Sequence, residues 1–492
     1  MASLQYPQEI SGEQLLRQVN EAITQHPSND RFSCDGSLDI LRGSDYADFT
    51  STKKPVTCPS PVIFWTKGAI TKRRTFDPLW GMMMNRVDGL GTSWGTSLDE
   101  LVQDCSPAKF GFDDKDVFDE TVRKAGVLDA SRFSTNFNPY DFGIVDAVAR
   151  ELLPGVVRAG KQPAVERWGV VAELYKLNVY SEPSGMFKPH VDTPRGKTHF
   201  GSLVVVLPTE FQGGQLRLAH KGKERVYLDR PPPIGLSPPI RWVAFYSDCE
   251  HEVLPVVAGH RVTLTYKLYV SERIGGLVQP QVTESETCPM YCRIKDLLAS
   301  PMFMTDGGIL GFHCAYQYPA THEGTEYYAR YPRVMKGIDF IIFAVFRALG
   351  LTVHIQPYEN GKTVGGQVGN VRTLLQDLRT SEIADGRPAK NKFKEFERHY
   401  YVGDEIFQHA KWFNEQPTTN PGGAGWLGDA KPTHWIGNET DVDWDYSFRA
   451  LLVVSVETDM VLAVLELHLA QPLSKDNSSC SYFLLPRDLV RI

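Results

Sequence analysis

His190 and Asp192 stand two residues apart in the run LNVYSEPSGMFKPHVDTPRG, and His251 follows far downstream in FYSDCEHEVLPVVAGHRVTLTYKLYV. Residues i and i+2 of an extended strand face the same way, so an imidazole and a carboxylate at this spacing can grip one ion from a single element. The third ligand must arrive on another strand. Two histidines and one carboxylate form the set that suits non-haem Fe(II), because three protein ligands leave neighbouring positions open. Beyond His251, Arg261, Thr263 and Thr265 alternate with Val262, Leu264 and Tyr266, which puts the three polar side chains on one strand face. A guanidinium is a planar fork that matches a carboxylate bidentately, so Arg261 points to an acidic small molecule beside the ion.

Strands must carry these residues. Between 167 and 270 the text breaks into short β-rich runs, expected at 172–180, 201–207, 214–220, 241–246 and 261–270, with Gly and Pro between them. Several short strands of this kind make a sandwich or jelly roll, in which two packed sheets bring residue 190 beside residue 251. The Pro-rich run 230–242, RPPPIGLSPPIRW, reads as a stiff surface connector.

The flanks are larger than the core. An amphipathic helix is expected near the N-terminus, where Leu15, Leu16, Val19 and Ile23 recur at helical spacing after a capping Ser11. The block 98–155 reads as helices joined by polar turns. Its acidic run around Asp116, Asp119 and Glu120 lacks the ligand spacing of an EF-hand and is taken as a solvated helix start. The Met run at 82–84 is core filler. After 271 a helix is expected at 336–350, a strand at 351–357, a helix at 371–379, a loop at 415–428 and a buried strand at 450–456. No H-x-D with a third partner recurs there, and His313, His354 and His434 read as structural or surface groups. The division is thus 1–165 as a helical and loop support, 166–271 as the core, and 272–492 as an α/β extension or a degenerate second jelly roll.

With 492 residues and 42% hydrophobic content the chain can bury a large core. A formal net charge of −7 supplies no global field for gripping a phosphate backbone, which argues against nucleic acid as a partner. Eight cysteines without a CxxC pair point to reduced thiols. The N-terminus lacks the apolar run of a signal peptide, and the most apolar helical stretch is too short to span a bilayer. An intracellular protein, cytoplasmic or nuclear and without a membrane partner, is the expectation.

The residues above resemble the catalytic core of the Fe(II)- and 2-oxoglutarate-dependent dioxygenases, and most closely its prolyl 4-hydroxylase branch. That family's pattern is H-x-D, a distal His and a basic residue about ten positions later; here His190-Val191-Asp192, His251 and Arg261 fill it. Tyr180, Phe187, the run HVDTP, the turn FQGGQLRL and the ending HRVTLTY agree with it. One position departs: where the oxygen-sensing members place a Tyr on the strand after H-x-D, this chain has Ser202, Leu203, Val204, Val205 and Val206. Two flanking runs, around VRKAG and GNETDVDWDYSFRALLVV, resemble blocks in fungal proteins that share the core.

The resemblance implies an α+β fold with a double-stranded β-helix core, helical support and a large mixed C-terminal region. It implies Fe(II) on His190, Asp192 and His251, with Arg261 and Thr263 on the distal carboxylate of 2-oxoglutarate and Tyr180 as a further hydrogen-bonding group. O2 is the oxidant, and ascorbate is a further cofactor the branch allows. The implied reaction hydroxylates a protein or peptide substrate, with a peptidyl proline as the leading candidate and release of succinate and CO2. A small-molecule oxygenase of the same superfamily is the nearest alternative, and a non-catalytic interaction scaffold the alternative from another class. Residues 181–188 and 195–200, with the flanks, are expected to choose the substrate.

Overall fold

The computed structural model describes residues 12–40, 57–77, 97–153, 155–157, 168–228, 238–272, 282–284, 288–320 and 334–363 apart from a few positions within them, together with 410–414, 436–437 and 445–455 less one residue. Elements used below are α1 (Gly12–Gln25), β1 (Ser33–Ile40), α2 (Leu98–Asp104), β2 (Arg123–Lys124), β3 (Gly126–Asp129), α3 (Ile144–Leu152), β4 (Trp168–Ser181), β5 (Gly185–His190), β6 (His199–Val206), β7 (Phe211–Gly213), β8 (Leu216–His220), β9 (Ile240–Tyr246), β10 (Glu250–Glu272), α4 (Pro289–Leu298), β11 (Gly308–His313), α5 (Gly337–Ala348), β12 (Thr352–Glu359) and β13 (Arg449–Ser455).

The core is a jelly roll of two sheets that share one strand. The C-terminal half of β10 pairs with β4 on one side and β6 on the other, and β6 continues through β9 to β1. The N-terminal half of β10 pairs instead with β5, β7 and β8. The changeover falls at Gly259, whose φ of +74° and close approach to the Glu210 carbonyl suit a residue without a Cβ. Each expected strand of the core is present. The last is longer than the expected 261–270: β10 begins at Glu250, so His251 and Arg261 ride on one strand.

Both faces of the larger sheet are covered. Helix α3 packs on its outer side, with Ile144, Val145, Val148 and Leu152 buried. The apolar run Leu203–Val206 that ends β6 suits a strand covered on both faces, which loses its alternation. Helix α1 forms where expected, burying Val19 and Ile23, and packs on α4.

The block 98–155 differs from expectation. It contains α2 and α3, but the stretch between them is built of short strands, among them β2 and β3. Strand β3 pairs with β4 at Lys176–Val179, and β2 pairs with β5 at Met186 and Phe187. These strands are held by the core's edges, which decide strand over helix when the local text is neutral. Asp116 lies on one such strand and Asp119 accepts from the Thr121 amide in a turn, so the acidic run is neither an ion loop nor a helix start.

The described part of the C-terminal region is a mixed α/β unit, with a sheet in which β13 lies between β11 and β12, helix α5 against β12, and α4 against α5. The expected helix at 336–350 and the strands at 351–357 and 450–456 are there as α5, β12 and β13. His313 is buried and stacks on Trp412 at 3.9 Å between ring centroids, a structural role as anticipated. The expected elements at 82–84, 371–379 and 415–428 and most of the Pro-rich run lie outside the described residues. The seven described cysteines are free thiols.

Candidate active site

Residues 190 and 251 are direct Cα partners across β5 and β10, so their rings face one another at 4.1 Å between centroids. Asp192 lies just past the end of β5, in irregular backbone, rather than on the strand itself. One ligand atom from each of His190, Asp192 and His251 can be chosen so that all lie within 4.8 Å of one another, the one such group among the described residues. All three side chains are buried.

Local hydrogen bonds aim the imidazoles. His190 Nδ1 is 2.9 Å from the Lys188 carbonyl and His251 Nδ1 3.1 Å from the Cys249 carbonyl. A carbonyl only accepts, so each Nδ1 carries the proton and each Nε2 keeps its lone pair for a metal. Burial pushes both imidazoles below their ordinary range, His190 further through the neighbouring His251, which favours the neutral form that ligation requires. Phe187 backs His190 at 3.5 Å between ring centroids, and the Arg123 guanidinium lies 4.5 Å from the centroid of the Phe187 ring.

Asp192 is held from the other sheet. Burial alone would raise its carboxyl, but the ammonium of Lys267, with the His251 ring and Ser202, overrides that and holds it well below the usual carboxylate range. Lys267 Nζ is 3.1 Å from Asp192 Oδ2, and Ser202 Oγ donates to the same oxygen. Asp192 Oδ1 is turned toward His251 Nε2, 3.9 Å away.

Arg261 is 1% exposed, and its Nε and Nη2 have no hydrogen-bond partner. Two guanidinium nitrogens left bare in the interior are costly unless an anion meets them, and a carboxylate fits that fork. The cation lies 5.3 Å over the ring of Tyr180, its cross-strand partner. Burial brings Arg261 down to about 10, with Tyr180 opposing. A Cβ added to Gly214 would stand 3.1 Å from Arg261 Cδ, so the GG turn makes room for this side chain. Thr263 is buried two residues on, with Oγ1 3.5 Å from the Asn178 carbonyl. The donor set therefore fits a divalent ion held by two imidazoles and one carboxylate, and Arg261, further along β10, offers a site for a second carboxylate.

Lys267, Ser202, Asn178 and Arg123 were not singled out from the sequence. Lys267 had a legible signal: it is the next step of the alternation Arg261, Thr263, Thr265. Asn178 bridges Arg123 Nη2 at 3.0 Å and Thr265 Oγ1 at 3.1 Å, a link between distant segments that the sequence does not announce.

The sequence model of the 2OG-Fe(II) oxygenase superfamily matches residues 175–269, which run from within β4 to within β10. This stretch is a 2OG-Fe(II) oxygenase domain. The family implies Fe(II), 2-oxoglutarate and O2. No curated protein sequence matches the chain. Among solved structures it is similar to a prolyl hydroxylase from Trichoplax adhaerens in complex with a hypoxia inducible factor oxygen degradation domain peptide fragment, at 14% identity and a TM-score of 0.27 over 52% of this chain and 91% of that one. It is also similar to a Pseudomonas putida prolyl-4-hydroxylase, at 20% identity and a TM-score of 0.21 over 35% and 80%. Among the described residues no helix is long and apolar enough to cross a membrane.

Proposed function

We propose that the oxygenase domain holds Fe(II) on His190, Asp192 and His251 and binds 2-oxoglutarate with Arg261, Thr263 and Tyr180, hydroxylating a prolyl residue of a protein substrate with release of succinate and CO2. The observation that carries the reading is the buried convergence of the three residues, one of them on the strand that also carries an arginine with two unpartnered nitrogens. Bound iron would supply the redox chemistry that couples 2-oxoglutarate and O2 to oxidation of a C–H bond.

The chain's own part is positioning and exclusion of water. Arg261, with Tyr180 beside it, fixes the distal carboxylate and so orients the 2-oxo acid end toward the ligands. Thr263 offers a hydroxyl on the same strand face. Buried walls formed by Phe187, Phe245 and Val253 keep bulk water from the reacting atoms. A proline target is favoured by the motif resemblance in HVDTP, FQGGQLRL and HRVTLTY. Residues 1–165 and 272–492 act as flanks to this core, and the choice of substrate falls to 181–188 and 195–200.

The test is O2-dependent succinate release with Fe(II) and 2-oxoglutarate, wild type beside His190→Ala. Succinate from wild type alone, increased by proline-containing peptides, is the expected result. Turnover that His190→Ala retains would sink the ligand assignment, and stimulation only by small metabolites would move the substrate away from proteins.

A further inference from the structure

The loop position of Asp192 raises a question that its two histidine partners do not: what fixes a carboxylate that has no strand ladder around it. Strand β10 gives the answer. Arg261, Thr263, Thr265 and Lys267 share the inward face, and Lys267 is the cross-strand partner of Ser202 on β6. This one cross-strand pair converges on a single carboxylate oxygen, Oδ2, with Lys267 Nζ 3.1 Å away and Ser202 Oγ donating. Lys267 Nζ is in turn 3.4 Å from Ser202 Oγ and lies 5.1 Å from the centroid of the Tyr175 ring. The side chain is 1% exposed, and a lysine buried this deeply is retained only where a charge partner offsets its desolvation.

We propose that Lys267 and Ser202 are positioning residues that withhold Oδ2 of Asp192 and present Oδ1 alone, so that the carboxylate binds the metal through one oxygen. The proposal rests on the reading of His190, Asp192 and His251 as metal ligands. Its consequence is chemical. A carboxylate free to turn would chelate through both oxygens and take up one of the positions that a chelating 2-oxo acid and O2 need. The ammonium also balances the carboxylate before any metal arrives, which keeps the site assembled in the metal-free protein.

The experiment uses the full chain loaded with Co(II), whose visible absorption reports coordination number, titrated with 2-oxoglutarate and without turnover. Lys267→Met is expected to bind Co(II) with an altered spectrum and to weaken 2-oxoglutarate by about tenfold, the scale on which partners of metal ligands act. Lys267→Arg should retain the wild-type spectrum. Ser202→Ala, which keeps the cation, should shift the spectrum in the same direction by less, and it serves as the test if Lys267→Met does not fold. Variants that match wild type in spectrum and 2-oxoglutarate affinity while losing only thermal stability would overturn the proposal and leave the pair as ballast. Wild type that takes up no Co(II) would instead remove the ligand assignment beneath it.

Discussion

Two buried aspartate–lysine pairs, Asp192–Lys267 and Asp248–Lys336, differ in how their carboxylates are met. Asp248 accepts from Lys336 Nζ at 2.7 Å on one oxygen and from the Gln317 amide at 2.9 Å on the other, while Lys336 also donates to the Gln317 carbonyl. Nearby Asp339 takes the amides of Ala315 and Tyr316 and the hydroxyl of Tyr318. This cluster joins the jelly roll to the C-terminal region and is closed. At Asp192 the lysine and serine crowd one oxygen, the other faces the histidines, and Arg261 stands with two nitrogens unmet. A saturated polar cluster specifies an interface, whereas a buried arginine with unmet nitrogens leaves a place for an anion.

The largest expected effect breaks the closed cluster. Asp248→Asn strands the Lys336 ammonium in the interior and should cost about 3–5 kcal/mol of stability, measured by urea unfolding. Equal stability of the variant and wild type would mean that the pair is not the clamp between the regions. Its turn also carries Cys249, whose carbonyl orients His251, so some weakening of metal binding should accompany the loss.

Next comes the open cluster. Arg261→Ala should leave folding nearly intact and weaken 2-oxoglutarate by roughly 100-fold, in line with about 2–3 kcal/mol for a charge-assisted pair. Anaerobic titration reads this directly, and an unchanged affinity would remove Arg261 from the co-substrate site.

The smallest effect is a pH dependence at the joint between regions. His220 is buried, stacked on Tyr316 at 4.8 Å between centroids, and burial pushes it down to about 4, with Asp248 opposing. An imidazole depressed in the folded state binds its proton first in the unfolded chain, so its contribution is intact above pH 6.5 and is lost as pH falls toward 4. By pH 5 the loss should be about 2 kcal/mol, and His220→Phe should flatten that part of the stability profile. A profile equally steep in the variant would assign the effect to other groups.

Much of this was legible in the residues themselves. The H-x-D spacing, the distal His and the alternating HRVTLTY gave ligand candidates and strand faces, because side-chain direction in a strand follows from a period of two. The region 106–135 was not legible: its short segments have little preference of their own and become strands by pairing with β4, β5, residues 63–65 or one another. Lys267 was half legible, since alternation puts it on the inward face but does not say what it meets there.

By itself, then, the sequence determined which residue types could share a face and which chemistry that set could serve, since both depend on local geometry and on side-chain chemistry. Only the tertiary structure decided that β10 crosses both sheets, that Asp192 stands beyond its strand and is held by Lys267 and Ser202, and that Asp248 is closed while Arg261 is open. Those facts depend on contacts between segments remote in sequence, where packing and desolvation, which no local pattern encodes, set the outcome.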